Sequence, residues 1–103
     1  MNSQVVVRQQ VHDFIAALAP EPRRKLWGGI KRLPNGKGDV IQLEGNLAPF
    51  FRLRVGKIRV VFEEKSVAGG RMLVCFFADY RAAVYKTLSQ IIANNLLGEL
   101  LDE

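Results

Sequence analysis

Acidic residues are absent from the stretch between Glu44 and Glu63. Cysteine and histidine each occur once, as Cys75 and His12. A lone cysteine rules out an intramolecular disulfide framework. One cysteine with one histidine excludes a Cys/His zinc site and gives a Cys-His nucleophile pair no support. Cys75 lies in the run Met72-Leu73-Val74-Cys75-Phe76-Phe77, where a thiol behaves as a small buried hydrophobe. Long apolar runs are missing too: nothing approaches the roughly 20 residues of a membrane-spanning helix. Residues 1–8 hold only the short apolar run Val5-Val6-Val7, where a signal-peptide core takes about 7–15 residues. No export signal, no membrane partner and a soluble, cytoplasmic protein are therefore expected, with no repeat or low-complexity tract.

At 103 residues, with 49% apolar and 24% charged content, the chain is expected to form a single domain over residues 1–103. The net charge of +5 and pI near 9.8 favour an anionic partner: nucleic acid, an acidic protein or an anionic membrane surface.

The acid-free window reads Phe51-Arg52-Leu53-Arg54-Val55-Gly56-Lys57-Ile58-Arg59-Val60-Val61-Phe62. Gly56-Lys57 suits a two-residue type II′ turn, which needs glycine at its first central position. Val55 then faces Ile58, Leu53 faces Val60 and Phe51 faces Phe62, so one surface of the hairpin is apolar and must pack on a core. The other surface sets Arg54 opposite Arg59, with Arg52 two residues along. Like charges facing each other across a ladder repel, and an anionic ligand relieves that repulsion. The simpler alternative is a solvated face of a half-buried antiparallel sheet.

Val5-Val6-Val7 reads as a strand. Val11, Phe14, Ile15 and Leu18 recur at helical spacing, and this first helix is expected to end near Ala19, broken by Pro20 and Pro22. A second helix over 23–33 carries Leu26, Trp27, Ile30 and Leu33 on one stripe, stopped by Pro34-Asn35-Gly36. Residues 36–39 form a loop and 40–43 a brief extended piece. Strands are expected at 50–55, 58–64 and 71–78, with a turn at Gly69-Gly70. Val84, Leu88, Ile91, Ile92, Leu96 and Leu97 define a last helix over 82–101. The expected class is α+β, in the order β-α-α-β-β-β-α.

Other motifs point less far. Gly36-Lys37-Gly38 lacks the phosphate-loop pattern and does not link a strand to a helix. His12 has no acid-base or metal partner in sight. Trp27 at helical spacing is core rather than a stacking platform, and Arg23-Arg24-Lys25 reads as a solvated helix face.

The helical hairpin, then Leu43-Glu44-Gly45-Asn46-Leu47, then the basic hairpin, then Asp79-Tyr80-Arg81-Ala82-Ala83-Val84-Tyr85, together resemble the RelE/ParE toxin superfamily over most of the chain. The resemblance implies a RelE-like fold: an N-terminal strand and helical hairpin packed on a curved antiparallel sheet, with a C-terminal helix. It also implies a toxin of a type II toxin–antitoxin system, silenced by a cognate antitoxin. RelE-like members cut mRNA at the ribosome and ParE-like members poison DNA gyrase; the first reading is favoured, with the gyrase poison and a catalytically inactive binding protein as alternatives. By position, the resemblance assigns Arg52, Arg54, Arg59, Arg81 and Tyr85 to catalysis and Lys57 and Tyr80 to RNA contact, with no cofactor and no metal. Fixed guanidinium donors suit charge on the phosphorane oxygens, and Tyr85 suits stacking on a base. Where one branch, resembling YoeB, has a carboxylate base, this chain has Ile41. Asp79 is then either a substitute base or a partner for Arg81.

Overall fold

The structure, a computed structural model, describes residues 2–94. It is α+β. Strand β1 (Asn2–Val7) leads into helices α1 (Gln9–Ala16) and α2 (Pro20–Arg32), then strands β2 (Asp39–Gln42), β3 (Phe51–Val55), β4 (Ile58–Val67) and β5 (Gly70–Tyr80), and finally helix α3 (Arg81–Ala93). The five strands form one sheet in the order β1-β5-β4-β3-β2. The sheet is mixed rather than antiparallel: β1 runs parallel to β5, in register Val5 to Leu73 and Val7 to Cys75. The segment 39–42 is also a full strand, paired antiparallel with β3, which corrects the order to β-α-α-β-β-β-β-α. Its composition hid it: Asp39 and Gln42 dilute a four-residue edge strand that is exposed along its length.

The prolines open α2 instead of only ending α1. Pro20 is the first helical residue, where the missing N–H is unneeded and the fixed φ favours the helix. Strands β4 and β5 run longer than their apolar cores predicted, to Val67 and from Gly70, around an Ala68-Gly69 turn. The part of the last helix expected beyond Asn94, with Leu96 and Leu97, lies outside the described residues.

The sheet is covered on both faces, so it has two cores. On one face, α1 and α2 bury Val11, Ile15, Leu26 and Ile30 against Leu53, Val60, Phe62 and Leu73. This uses the apolar side of the hairpin as its alternation requires, and the Phe51 and Phe62 rings stack at 5.5 Å. On the other face, α3 lays Val84 and Leu88 on Val61, Phe76 and Phe77, with Ile91 and Ile92 packed alongside. Burial on both faces explains why β5 reads as an unbroken apolar run instead of alternating. A bulge inserts Phe76 where Val61 pairs with Phe77 but Phe62 pairs with Cys75. Phe76 is fully buried and meets Phe50 edge-on at 5.1 Å.

Two details position the end of β5. Beyond β1, the Gln10 side chain takes over as β5's partner: its Nε2 donates to the Ala78 carbonyl at 2.9 Å and its Oε1 accepts the Ala78 N–H at 2.8 Å. In α2, Gly29 lies so close to β3 that a Cβ there would meet Val55 Cγ2 at 2.9 Å.

Candidate nucleic-acid interface

The Gly56-Lys57 turn forms as its sequence requires. Gly56 has φ +59°, and Arg81 is the one non-glycine with positive φ among the described residues, so Lys57 has negative φ and the turn is of the II′ kind. Register follows: Val55 pairs with Ile58, Arg54 with Arg59, Leu53 with Val60 and Phe51 with Phe62. β2 extends this face, setting Asp39 beside Arg54 and Ile41 beside Arg52. From the far side, α3 begins at Arg81, and the i, i+4 spacing puts Arg81 and Tyr85 on one helical face.

These elements enclose an open cleft of about 420 Å³ lined by Ile41, Arg52, Arg54, Gly56, Arg59, Arg81 and Tyr85. All five side chains assigned to catalysis from the sequence meet here. Lys57 and Tyr80 do not join them. They line a separate groove with Leu18, Pro22 and Lys25, and the Tyr80 ring packs 5.2 Å from Phe14 of α1, on the opposite side of the sheet.

The four arginines are held differently. Arg52 is buried, its side chain only 10% exposed, so the solvated-face alternative fails at this position. Its Nε has no hydrogen-bond partner, and Nη2 lies 3.8 Å from Asp39 Oδ1, beyond hydrogen-bonding reach. Arg54 is exposed, its Nε 3.8 Å from Asp39 Oδ2. Arg59 is aimed by the turn itself, Nη1 donating to the Gly56 carbonyl at 2.8 Å and the Ile58 carbonyl at 3.1 Å. Arg81, with φ +34°, donates its backbone N–H to the Lys57 carbonyl at 2.9 Å. A non-glycine residue in that region costs about 1–3 kcal/mol and persists where the surroundings over-determine it, as at binding sites. Tyr85 is half-buried, packed against the α3 core.

Sequence reasoning missed Asp39. The acid-free window suggested an uncompensated basic face, but β2 brings one carboxylate to two of its arginines; only the β2–β3 register reveals it. Asp79 pairs in register with Arg59. Its Oδ1 accepts the Tyr80 N–H at 2.8 Å, and among the described residues it makes no ion pair with Arg81.

The remaining candidates, Cys75 and His12, do not line this cleft. Cys75 is fully buried, and burial pushes its thiol up to about 12, so it holds no thiolate near neutral pH. His12 is exposed and lies edge-on to Trp27 at 5.6 Å. Among the described residues no three His, Cys, Asp or Glu side chains gather as a metal site, and no helix is long and apolar enough to cross a membrane. Chemically, the cleft gathers several guanidinium groups at different depths, one buried and under-compensated, with an aromatic ring at the wall, an arrangement suited to an anion.

The fold and site thus define a small α+β domain with an arginine-lined cleft. Comparison with protein-family models, with curated proteins and with solved structures gave no match to this chain.

Proposed function

We propose that this chain is a RelE-like toxin of a type II toxin–antitoxin system, an endoribonuclease that cuts mRNA on the ribosome in the cytoplasm and is neutralised by a cognate antitoxin. The observation that carries the reading is Arg52. A buried guanidinium without a hydrogen-bonded anion is costly, and Arg54, Arg59 and Arg81 share its cleft. A phosphodiester brings the compensating charge and acceptor oxygens.

In the proposed reaction the ribose 2′-oxygen attacks phosphorus as its proton departs. The bond from phosphorus to the 5′-oxygen breaks, and that oxygen takes up a proton. The products are a 2′,3′-cyclic phosphate and a 5′-hydroxyl end. Arg52, and Arg59 on its carbonyl tether, supply pre-set donors to the phosphorane oxygens, where charge builds in the transition state. Arg54 and Arg81 hold flanking phosphates, and Tyr85 stacks on a base. Arginine is a poor general base, so the rate rests on alignment of the 2′-oxygen and on charge stabilisation. An acidic antitoxin segment that folds on binding suits the same cleft.

Induction of the protein in cells tests this: translation should halt, and primer extension should map cuts within translated messages. Intact messages accompanied by gyrase-linked DNA breaks would overturn it.

A further inference from the structure

One wall of the cleft is unexplained by phosphate chemistry. Ile41 is 48% exposed yet lines the same cleft as the arginines. It shares a sheet face with Arg52, its cross-strand partner. Its neighbour Val40 points to the opposite face, where it lines a small cavity with Leu33 and Phe51, so of the two exposed aliphatic side chains on this strand only Ile41 faces the arginines. The sheet order puts β2 at one edge, β3 and β4 with Arg52, Arg54 and Arg59 in the middle, and α3 with Tyr85 packed over β4 and β5. The cleft therefore has a guanidinium floor between an aliphatic wall and an aromatic wall.

We infer that Ile41 and Tyr85 form the two walls of a nucleobase subsite, so that the cleft takes an unpaired base between them while the arginines hold the phosphates. This rests on the proposed RNA reading and names the state of its substrate: a single strand with one base unstacked. A planar apolar ring flanked by anionic phosphates matches an apolar slot over a basic floor. A paired duplex keeps its bases stacked inside and offers no ring to the slot. Ile41 carries no hydrogen-bonding group, so its wall favours a base by contact area and not by its edges.

The test is binding of a short, single-stranded, fully 2′-O-methylated oligonucleotide, which lacks the attacking hydroxyl, and of the same backbone made abasic throughout. Ile41→Ala should weaken binding of the base-bearing probe about fivefold, the scale of the apolar contact area lost with the side chain. It should leave the abasic probe and the salt dependence unchanged. Exposure at this edge keeps the variant folded, and circular dichroism verifies that. Equal affinity of parent and variant for the base-bearing probe, or equal weakening on both probes, would overturn the subsite while leaving the phosphate cleft in place. Failure of the parent to bind either probe at low salt would overturn the RNA reading and the subsite with it.

Discussion

Replacing Arg52 by methionine should make the protein more stable and less able to bind RNA. The Arg52 side chain is 10% exposed, its Nε unpartnered, and its nearest carboxylate oxygen lies 3.8 Å away on a half-exposed aspartate. Methionine keeps the unbranched stem that runs beside Val61, the cross-strand partner, and removes the charged head. Relief of an unsatisfied buried polar group is worth about 1–3 kcal/mol. The lost ion pair with an exposed partner is worth about 0–1 kcal/mol. The net expectation is a gain of about 1–2 kcal/mol, read in urea denaturation as a higher midpoint with unchanged slope. Each kcal/mol corresponds to about 4–8 °C in Tm for a domain of this size. Binding of the 2′-O-methylated oligonucleotide should weaken, with the salt slope reduced by about one. A variant less stable than the parent by more than about 1 kcal/mol, with RNA affinity intact, would refute the reasoning and make Arg52 part of the fold.

Asp39 holds two arginines at 3.8 Å, so Asp39→Asn should tighten oligonucleotide binding up to about fivefold while shifting stability by less than about 1 kcal/mol; weaker binding would show the carboxylate assists the ligand. Tyr85→Ala should cost about tenfold or more in activity and Tyr85→Phe much less, because stacking needs the ring and not the hydroxyl; equal damage from both would assign the hydroxyl a proton-transfer or hydrogen-bonding role. Cys75 rises from 9.0 to about 12 on burial, so as pH climbs the unfolded thiol ionises first. Its contribution is therefore intact below about pH 9 and lost between pH 9 and 12, amounting to about 1.4 kcal/mol at pH 10. Cys75→Ala should lack that component when unfolding free energies at pH 8 and pH 10 are compared, and an identical loss in the variant would refute it.

The hairpin was legible because three local signals agree: glycine at the first turn position, apolar alternation on both strands, and arginine at every intervening position from Arg52 to Arg59. The convergence of Arg81 and Tyr85 on that face was not legible from local signals, since it depends on α3 crossing the sheet; only the resemblance pointed there. β2 was legible only as a brief extended piece over 40–43, and its pairing escaped because strand signals come from side chains, whereas an exposed edge strand is held by main-chain bonds to β3 and needs no apolar pattern. Asp39, read as part of a loop, was missed with that pairing, and Ile41 was placed at the site by the resemblance alone. The parallel pairing of β1 with β5 was equally hidden, because Val5-Val6-Val7 suits an edge strand in either direction.

The most direct measurement is the chemistry of RNA ends after purified protein is mixed with ribosomes bearing a defined message. The account predicts cuts within the occupied reading frame that leave 2′,3′-cyclic phosphate and 5′-hydroxyl ends, abolished in the folded Arg52→Met protein. Message left intact by the parent protein at stoichiometric excess over ribosomes would contradict it.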